Sequence, residues 1–190
     1  MSNALHSDET CEWGTPLAVV ELARAVLGGL DLDSCSSPYW NYWTVKATRY
    51  FDAEHSVLER QLSGRVFCNP PGGKVPGTQR SLPKAVWEHH VDAWRRGAVD
   101  GVVWVGYSLE QLVMLQGSPA HPLQFVTCVP CERLAFLQNV AGGPMPGKQP
   151  THGNYISLLP SVRNKAEARA QMTRFRDLGA SLGAVTRPLT

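Results

Sequence analysis

The tightest constraint in the sequence is Arg65-Val66-Phe67-Cys68-Asn69-Pro70-Pro71-Gly72-Gly73, an apolar run cut off by two consecutive prolines. Val66, Phe67 and Cys68 suit a buried central strand, and Pro70 and Pro71 forbid both further ladder pairing and continuation as helix. A strand over 65–69 followed by a rigid elbow is therefore expected. Asn69 carries an amide carbonyl and Pro70 a backbone carbonyl without a competing N–H, so the elbow can present two acceptors to an amino group. Two fixed acceptors that hold the hydrogens of an aromatic amine favour a pyramidal nitrogen, whose lone pair can attack a methyl donor. The plainer reading of the same residues is a strand followed by a proline-rich turn.

The remaining sequence alternates between strand and helix patterns. Thr15 is placed to cap a helix that starts at Pro16, carries Leu17, Val20, Leu22 and Val26, and ends at Gly28-Gly29. Leu30-Asp31-Leu32-Asp33 reads as a short strand with acids at its end, followed by the small-residue loop Ser34 to Ser37. Residues 39–51 hold Tyr39, Trp40, Tyr42, Trp43, Tyr50 and Phe51, which suits core packing, with base stacking as the alternative. A helix from 83 or 84 to 96, a strand over 100–106, a helix after Ser108, strands over 123–129 and 134–137, a Gly/Pro loop over 138–153 and a strand over 154–159 follow. A charged helix is expected over 164–178. This alternation predicts an α/β sheet with helices on both faces, whose ligands gather beyond the carboxyl ends of the strands. Asp31 or Asp33 would then sit beside the Asn-Pro-Pro elbow, able to accept from ribose hydroxyls or an ammonium, although strand-end acids also form turns.

With 190 residues and 43% hydrophobic content, the protein suits one well-buried domain better than two. The expected division is a leader over 1–10, a core domain over 11–160, and a C-terminal helix and tail over 161–190. A net charge of +2 and a pI near 8.3 confine any nucleic-acid contact to local patches. The sequence has no run of about 18 apolar residues and no signal-peptide pattern, so a soluble cytoplasmic protein with no membrane partner is expected. Five scattered cysteines fit reduced thiols. Cys128-Val-Pro-Cys131 has the spacing of a metal knuckle but no second ligand pair, so no metal is expected.

Glu12-Trp13-Gly14-Thr15-Pro16, Leu30-Asp31-Leu32-Asp33, Phe67-Cys68-Asn69-Pro70-Pro71 and Thr151-His152-Gly153-Asn154, in this order, resemble the phage-type DNA N6-adenine methyltransferase family. The resemblance implies a single-domain Rossmann-like methyltransferase sheet, S-adenosylmethionine as cofactor, DNA as partner and, for a phage-encoded protein, the host cytoplasm. It implies cofactor contacts for Trp13, Thr15, Pro16, Asp31 and Asp33, and the acceptor role at the target amine for Asn69, Pro70 and Pro71. Asp52 and Glu54 are the nearest acids for the cofactor's adenine. Lys74, Arg80, Lys84 and Lys148, on the 72–84 and 138–153 loops, are the expected phosphate contacts.

Two departures stand out. Enzymes of this kind usually carry an aromatic residue after Asn-Pro-Pro to stack on the flipped base, whereas this sequence has Gly72-Gly73, leaving Trp87, Trp40 and Tyr107 as candidate rings. The glycine-rich loop usual after the first strand is replaced by Ser34 to Ser37. Methylation of the cytosine N4 amine, which poses the same electronic problem, and a non-catalytic DNA-binding protein on a decayed methyltransferase scaffold are the competing readings.

Overall fold

Alternate residues of the central strands feed two cores on opposite faces of one sheet, and this fixes the architecture. The computed structural model describes residues 13–140, 143–147 and 152–186. In β3 (Gly64–Cys68), Val66 and Cys68 face one side and Phe67 the other; in β4 (Val99–Gly106), Val102 and Trp104 oppose Val103 and Val105 in the same way. On one face lie α1 (Leu17–Leu27) and α5 (Lys165–Gly179), whose Val19, Val20, Ala23, Val26 and Phe175 pack against Phe67, Val103 and Val105. On the other lies α3 (Leu82–Arg95), whose Val86, Trp87 and Val91 meet Val66, Val102 and Trp104. Trp87 and Trp104 meet edge to face with ring centroids 5.0 Å apart, and the Trp87 indole N–H donates to the Ala120 carbonyl at 2.8 Å.

The sheet also includes β1 (Leu32–Asp33), β2 (Arg49–Tyr50), β5 (Val126–Pro130), β8 (Tyr155–Leu159) and β9 (Gly183–Val185), in the order β2-β1-β3-β4-β8-β5-β9. The pairs of β1 with β2, β1 with β3 and β3 with β4 are parallel; β8 runs antiparallel to both β4 and β5, and β9 antiparallel to β5. A separate hairpin joins β6 (Leu137–Val140) to β7 (Gly143–Pro146). From β1 the backbone moves outward to β2, and from β3 it moves the opposite way to β4. The junction of β1 and β3 is therefore the point at which strand order reverses. This is a Rossmann-like α/β fold with a mixed sheet flanked by helices on both faces.

Several local expectations change. Pro16, with φ −55 and ψ 139, is the last non-helical residue, so α1 starts at Leu17 and Thr15 does not cap it. The end is as expected: Gly28 takes φ 75 and its N–H bonds to the Arg24 carbonyl. The aromatic stretch is mostly not core. After the short α2 (Pro38–Trp40), a π-helical turn over Asn41–Val45 sends Thr44 and Val45 inward and leaves Tyr42 and Trp43 exposed, so only Trp40 of its tryptophans is buried. The expected strand over 134–137 and loop over 138–153 give way to the hairpin of β6 and β7, and α5 is followed by β9 on the sheet edge. The small α4 (Glu110–Met114) starts just past Ser108, whose Oγ accepts from the Glu110 N–H at 3.1 Å. Among the described residues no helix is long and apolar enough to cross a membrane.

Candidate active site

Strand direction gathers the sequence motifs on one edge of the sheet. β1, β3 and β4 are parallel, so Asp33, Asn69 and Tyr107 all lie at their carboxyl ends. The backbone enters β1 from the end of α1, so the start of that helix, with Trp13, Thr15 and Pro16, returns to the same edge. β8 is antiparallel, which brings Asn154, the residue before it, there too.

Asn69 is half-buried, Pro70 buried and Pro71 exposed, so the elbow is anchored by its first proline. Among the described residues nothing donates to the Asn69 side chain or to the Pro70 carbonyl. Both oxygens are thus without a donor among the described residues.

Asp33 is only 2% exposed, and its Oδ1 has no hydrogen-bond partner among the described residues. Burial pushes its carboxyl up to about 7, against the Ser36 hydroxyl and the Cys35 N–H, which favour the charged form. A buried carboxyl with one oxygen unpartnered among the described residues, at the strand-order reversal, is a candidate ligand contact. Next to it, Ser34 Oγ lies 2.8 Å from His90 Nε2, while His90 Nδ1 donates to the Val86 carbonyl at 2.7 Å, which leaves Nε2 to accept from Ser34. Burial pushes His90 down to about 4, although the bond to Val86 acts the other way. Both side chains are sealed from solvent, so the pair ties α3 to the loop after β1 rather than presenting a nucleophile.

Gly14 forms a two-way bridge with Leu137, at 2.9 and 2.7 Å, and ties the Trp13-Pro16 element to the hairpin. A Cβ on Gly14 would come within 2.3 Å of the Trp40 ring, and one on Gly147 within 2.3 Å of the Trp13 ring, so glycine at both positions lets these rings close over the backbone. The Trp40 indole N–H and the Tyr39 hydroxyl, like Asp33 Oδ1, are buried without a partner among the described residues.

Other expected residues are placed elsewhere or are already engaged. Asp31 precedes β1 at the opposite edge, where its carboxylate takes the Arg65 guanidinium at 2.7 and 2.8 Å and the Arg65 N–H at 2.8 Å. The Arg65 side chain holds it down to about 2. Asp31 therefore leaves the cofactor set: it is the first acid of its strand and Asp33 the last. Asp52 stays at the carboxyl end of β2, but its Oδ1 accepts from the N–H groups of Glu54 and His55 and faces His55 Nδ1, making it a turn former, and Glu54 is exposed. In the segment after the elbow, Lys74 bonds Gln79, Arg80 pairs with Glu88 at 2.7 Å, and Lys84 is half-buried in the first turn of α3. Lys148 lies outside the described residues.

The three candidate rings differ in exposure. Trp87 is 0% and Trp40 5% exposed, whereas Tyr107 is only partly buried, and its hydroxyl lies 3.6 Å from the place a Cβ on Gly72 would take. Asn154 fixes the backbone there: Nδ2 donates to the Tyr107 carbonyl and Oδ1 accepts from the Leu134 N–H, both at 2.9 Å. The sequence signal for this clamp was the His152-Gly153-Asn154 motif, whose purpose the residues alone did not reveal. Cys128 is buried and Cys131 exposed, and no group of three metal-ligating side chains occurs among the described residues. A surface hollow of about 470 Å³ is lined by Asn41, Tyr42, Trp43, Lys46 and Ala47, none of them an expected site residue.

Comparisons with protein-family models, curated proteins and solved structures give no match to this protein.

Proposed function

We propose that the protein is an S-adenosylmethionine-dependent DNA methyltransferase acting on the N6 amine of adenine. One observation carries this reading: an Asn-Pro-Pro elbow whose two acceptors are free among the described residues follows β3 where strand order reverses, next to the strand that ends in the buried Asp33, whose Oδ1 is likewise unpartnered there. Asp33 suits a ligand group that bears a cation or hydroxyls, and Trp13, Thr15 and Pro16 border the same edge. The cofactor, when bound, supplies a methyl group on a sulfonium centre. Asn69 Oδ1 and the Pro70 carbonyl accept the hydrogens of the target amine and turn its lone pair outward. An adenine must leave the duplex to reach them, at a cost of a few kcal/mol. The Tyr107 ring supplies the stack that Gly72 cannot, worth about 1–3 kcal/mol. Lys74, Arg80 and Lys84 are the cations available near the elbow for phosphate, once released from Gln79 and Glu88.

Titration calorimetry with S-adenosylmethionine tests the reading first. Saturable binding that is weakened in Asp33→Asn supports it, whereas no binding at millimolar levels favours the decayed-scaffold alternative and overturns it. Recovery of N4-methylcytosine in place of N6-methyladenine from treated DNA would replace the base while keeping the elbow chemistry.

A further inference from the structure

Two thiols stand face to face on the strand ends that frame the candidate site. Cys35 Sγ and Cys68 Sγ are 3.8 Å apart. Cys68 ends β3 and is joined directly to Asn69; Cys35 follows Asp33 by two residues, in the loop after β1. Cys35 is partly exposed and Cys68 fully buried, so a small oxidant reaches the first and only the first can hand the change to the second. We propose that Cys35 and Cys68 form a peroxide-sensitive, reversible disulfide that disables the site.

The chemistry balances with one peroxide. The Cys35 thiolate attacks a peroxide oxygen; an S–O bond forms, the O–O bond breaks, and the departing hydroxide is protonated to water. The Cys68 sulfur then attacks the sulfenic sulfur of Cys35; the S–S bond forms, the S–O bond breaks, and the second hydroxide leaves as water with the Cys68 proton. The two thiols lose two electrons and the peroxide gains them. Burial pushes the Cys68 thiol up, which keeps it protonated and makes Cys35 the first target.

The location gives the bond its effect. A disulfide requires the sulfurs at about 2.05 Å, so one side must move. β3 is paired on both flanks, by β1 and by β4, whereas Cys35 lies in a loop. The loop therefore yields, and with it the segment that directly follows the buried Asp33 at the end of β1. The formation of the disulfide stands on geometry alone; its effect on cofactor binding rests on the methyltransferase reading.

The test treats the full-length protein with hydrogen peroxide, blocks remaining thiols after unfolding, and digests with trypsin without reduction. Cleavage after Arg24, Lys46, Arg65 and Lys74 isolates Cys35 in peptide 25–46 and Cys68 in peptide 66–74. The expected result is a linked 25–46/66–74 species that dithiothreitol separates and that Cys35→Ser does not form. Recovery of the two peptides singly, with Cys68 blocked as in untreated protein, overturns the proposal. In parallel, the oxidised protein should lose S-adenosylmethionine binding and regain it on reduction. A linked species with unchanged cofactor affinity overturns the regulatory role, whereas a reduced protein that never binds cofactor counts against the functional reading and leaves the peptide result to decide the thiol pair.

Discussion

The Tyr107 hydroxyl occupies the space beside Gly72, 3.6 Å from where a side chain at position 72 would begin, so a ring from the end of β4 stands where the residue after the elbow has none. On the proposed methyltransferase reading this ring stacks on the target base, and Tyr107→Ala should raise the KM for DNA about 5- to 150-fold, the equivalent of about 1–3 kcal/mol. Tyr107→Phe keeps the ring and should stay close to wild type. Steady-state kinetics with saturating cofactor separates the two, and equal losses in both variants would assign the role to the hydroxyl instead.

Asp33 titrates near neutrality, with its carboxyl pushed up to about 7 by burial. A cationic or hydroxyl-rich ligand interacts best with the ionised form, so cofactor affinity should increase as pH rises through about 7 and binding should release protons. Calorimetry in buffers of different ionisation enthalpy measures that release. Asp33→Asn should bind weakly at every pH and release none.

Two buried groups, Asp33 and His90, set opposing slopes of stability against pH. The folded Asp33 keeps a proton that the unfolded protein gives up at the ordinary 3.8, so its contribution is present at low pH and lost as pH rises toward about 7. His90 is pushed down to about 4 from 6.5, so its contribution is present above about 6.5 and lost as pH falls toward about 4. The windows overlap, and wild-type stability should be comparatively flat between them. Asp33→Asn should unmask the histidine slope and gain up to about 4 kcal/mol at neutral pH relative to wild type. His90→Gln should unmask the aspartate slope, falling as pH rises. Denaturant unfolding across this range measures both, and parallel curves for wild type and Asp33→Asn would contradict the assignment.

How much of this was legible in the sequence depends on whether the signal is local. The run Val66-Phe67-Cys68 closed by Asn69-Pro70-Pro71 announces both its strand and its elbow, and the apolar Leu17, Val20, Leu22 and Val26 before Gly28 announce α1, because each is fixed by its neighbours in sequence; of these four, Leu17 alone proves exposed. Asp31 and Asp33 look interchangeable there. Only the register against Arg65 and Phe67 separates an ion pair at one end of the strand from a buried carboxyl at the other. The exposure of Tyr42 and Trp43 depends on a single wide helical turn, which aromatic content does not encode. The Cys35 and Cys68 contact, the Tyr107 and Gly72 approach and the Asn154 clamp join residues at least 20 positions apart, and each requires the strand order before it can be seen.

On the proposed reading, Asn69 holds the amine that receives the methyl group. Wild type and Asn69→Ala, each shown to bind S-adenosylmethionine, are incubated with methyl-labelled cofactor and mixed-sequence DNA, which is then digested to nucleosides. Labelled N6-methyldeoxyadenosine is expected from wild type and none above background from Asn69→Ala, with cofactor affinity near normal in both. Label recovered from Asn69→Ala at the wild-type rate, or none from wild type with cofactor bound, would contradict that reading.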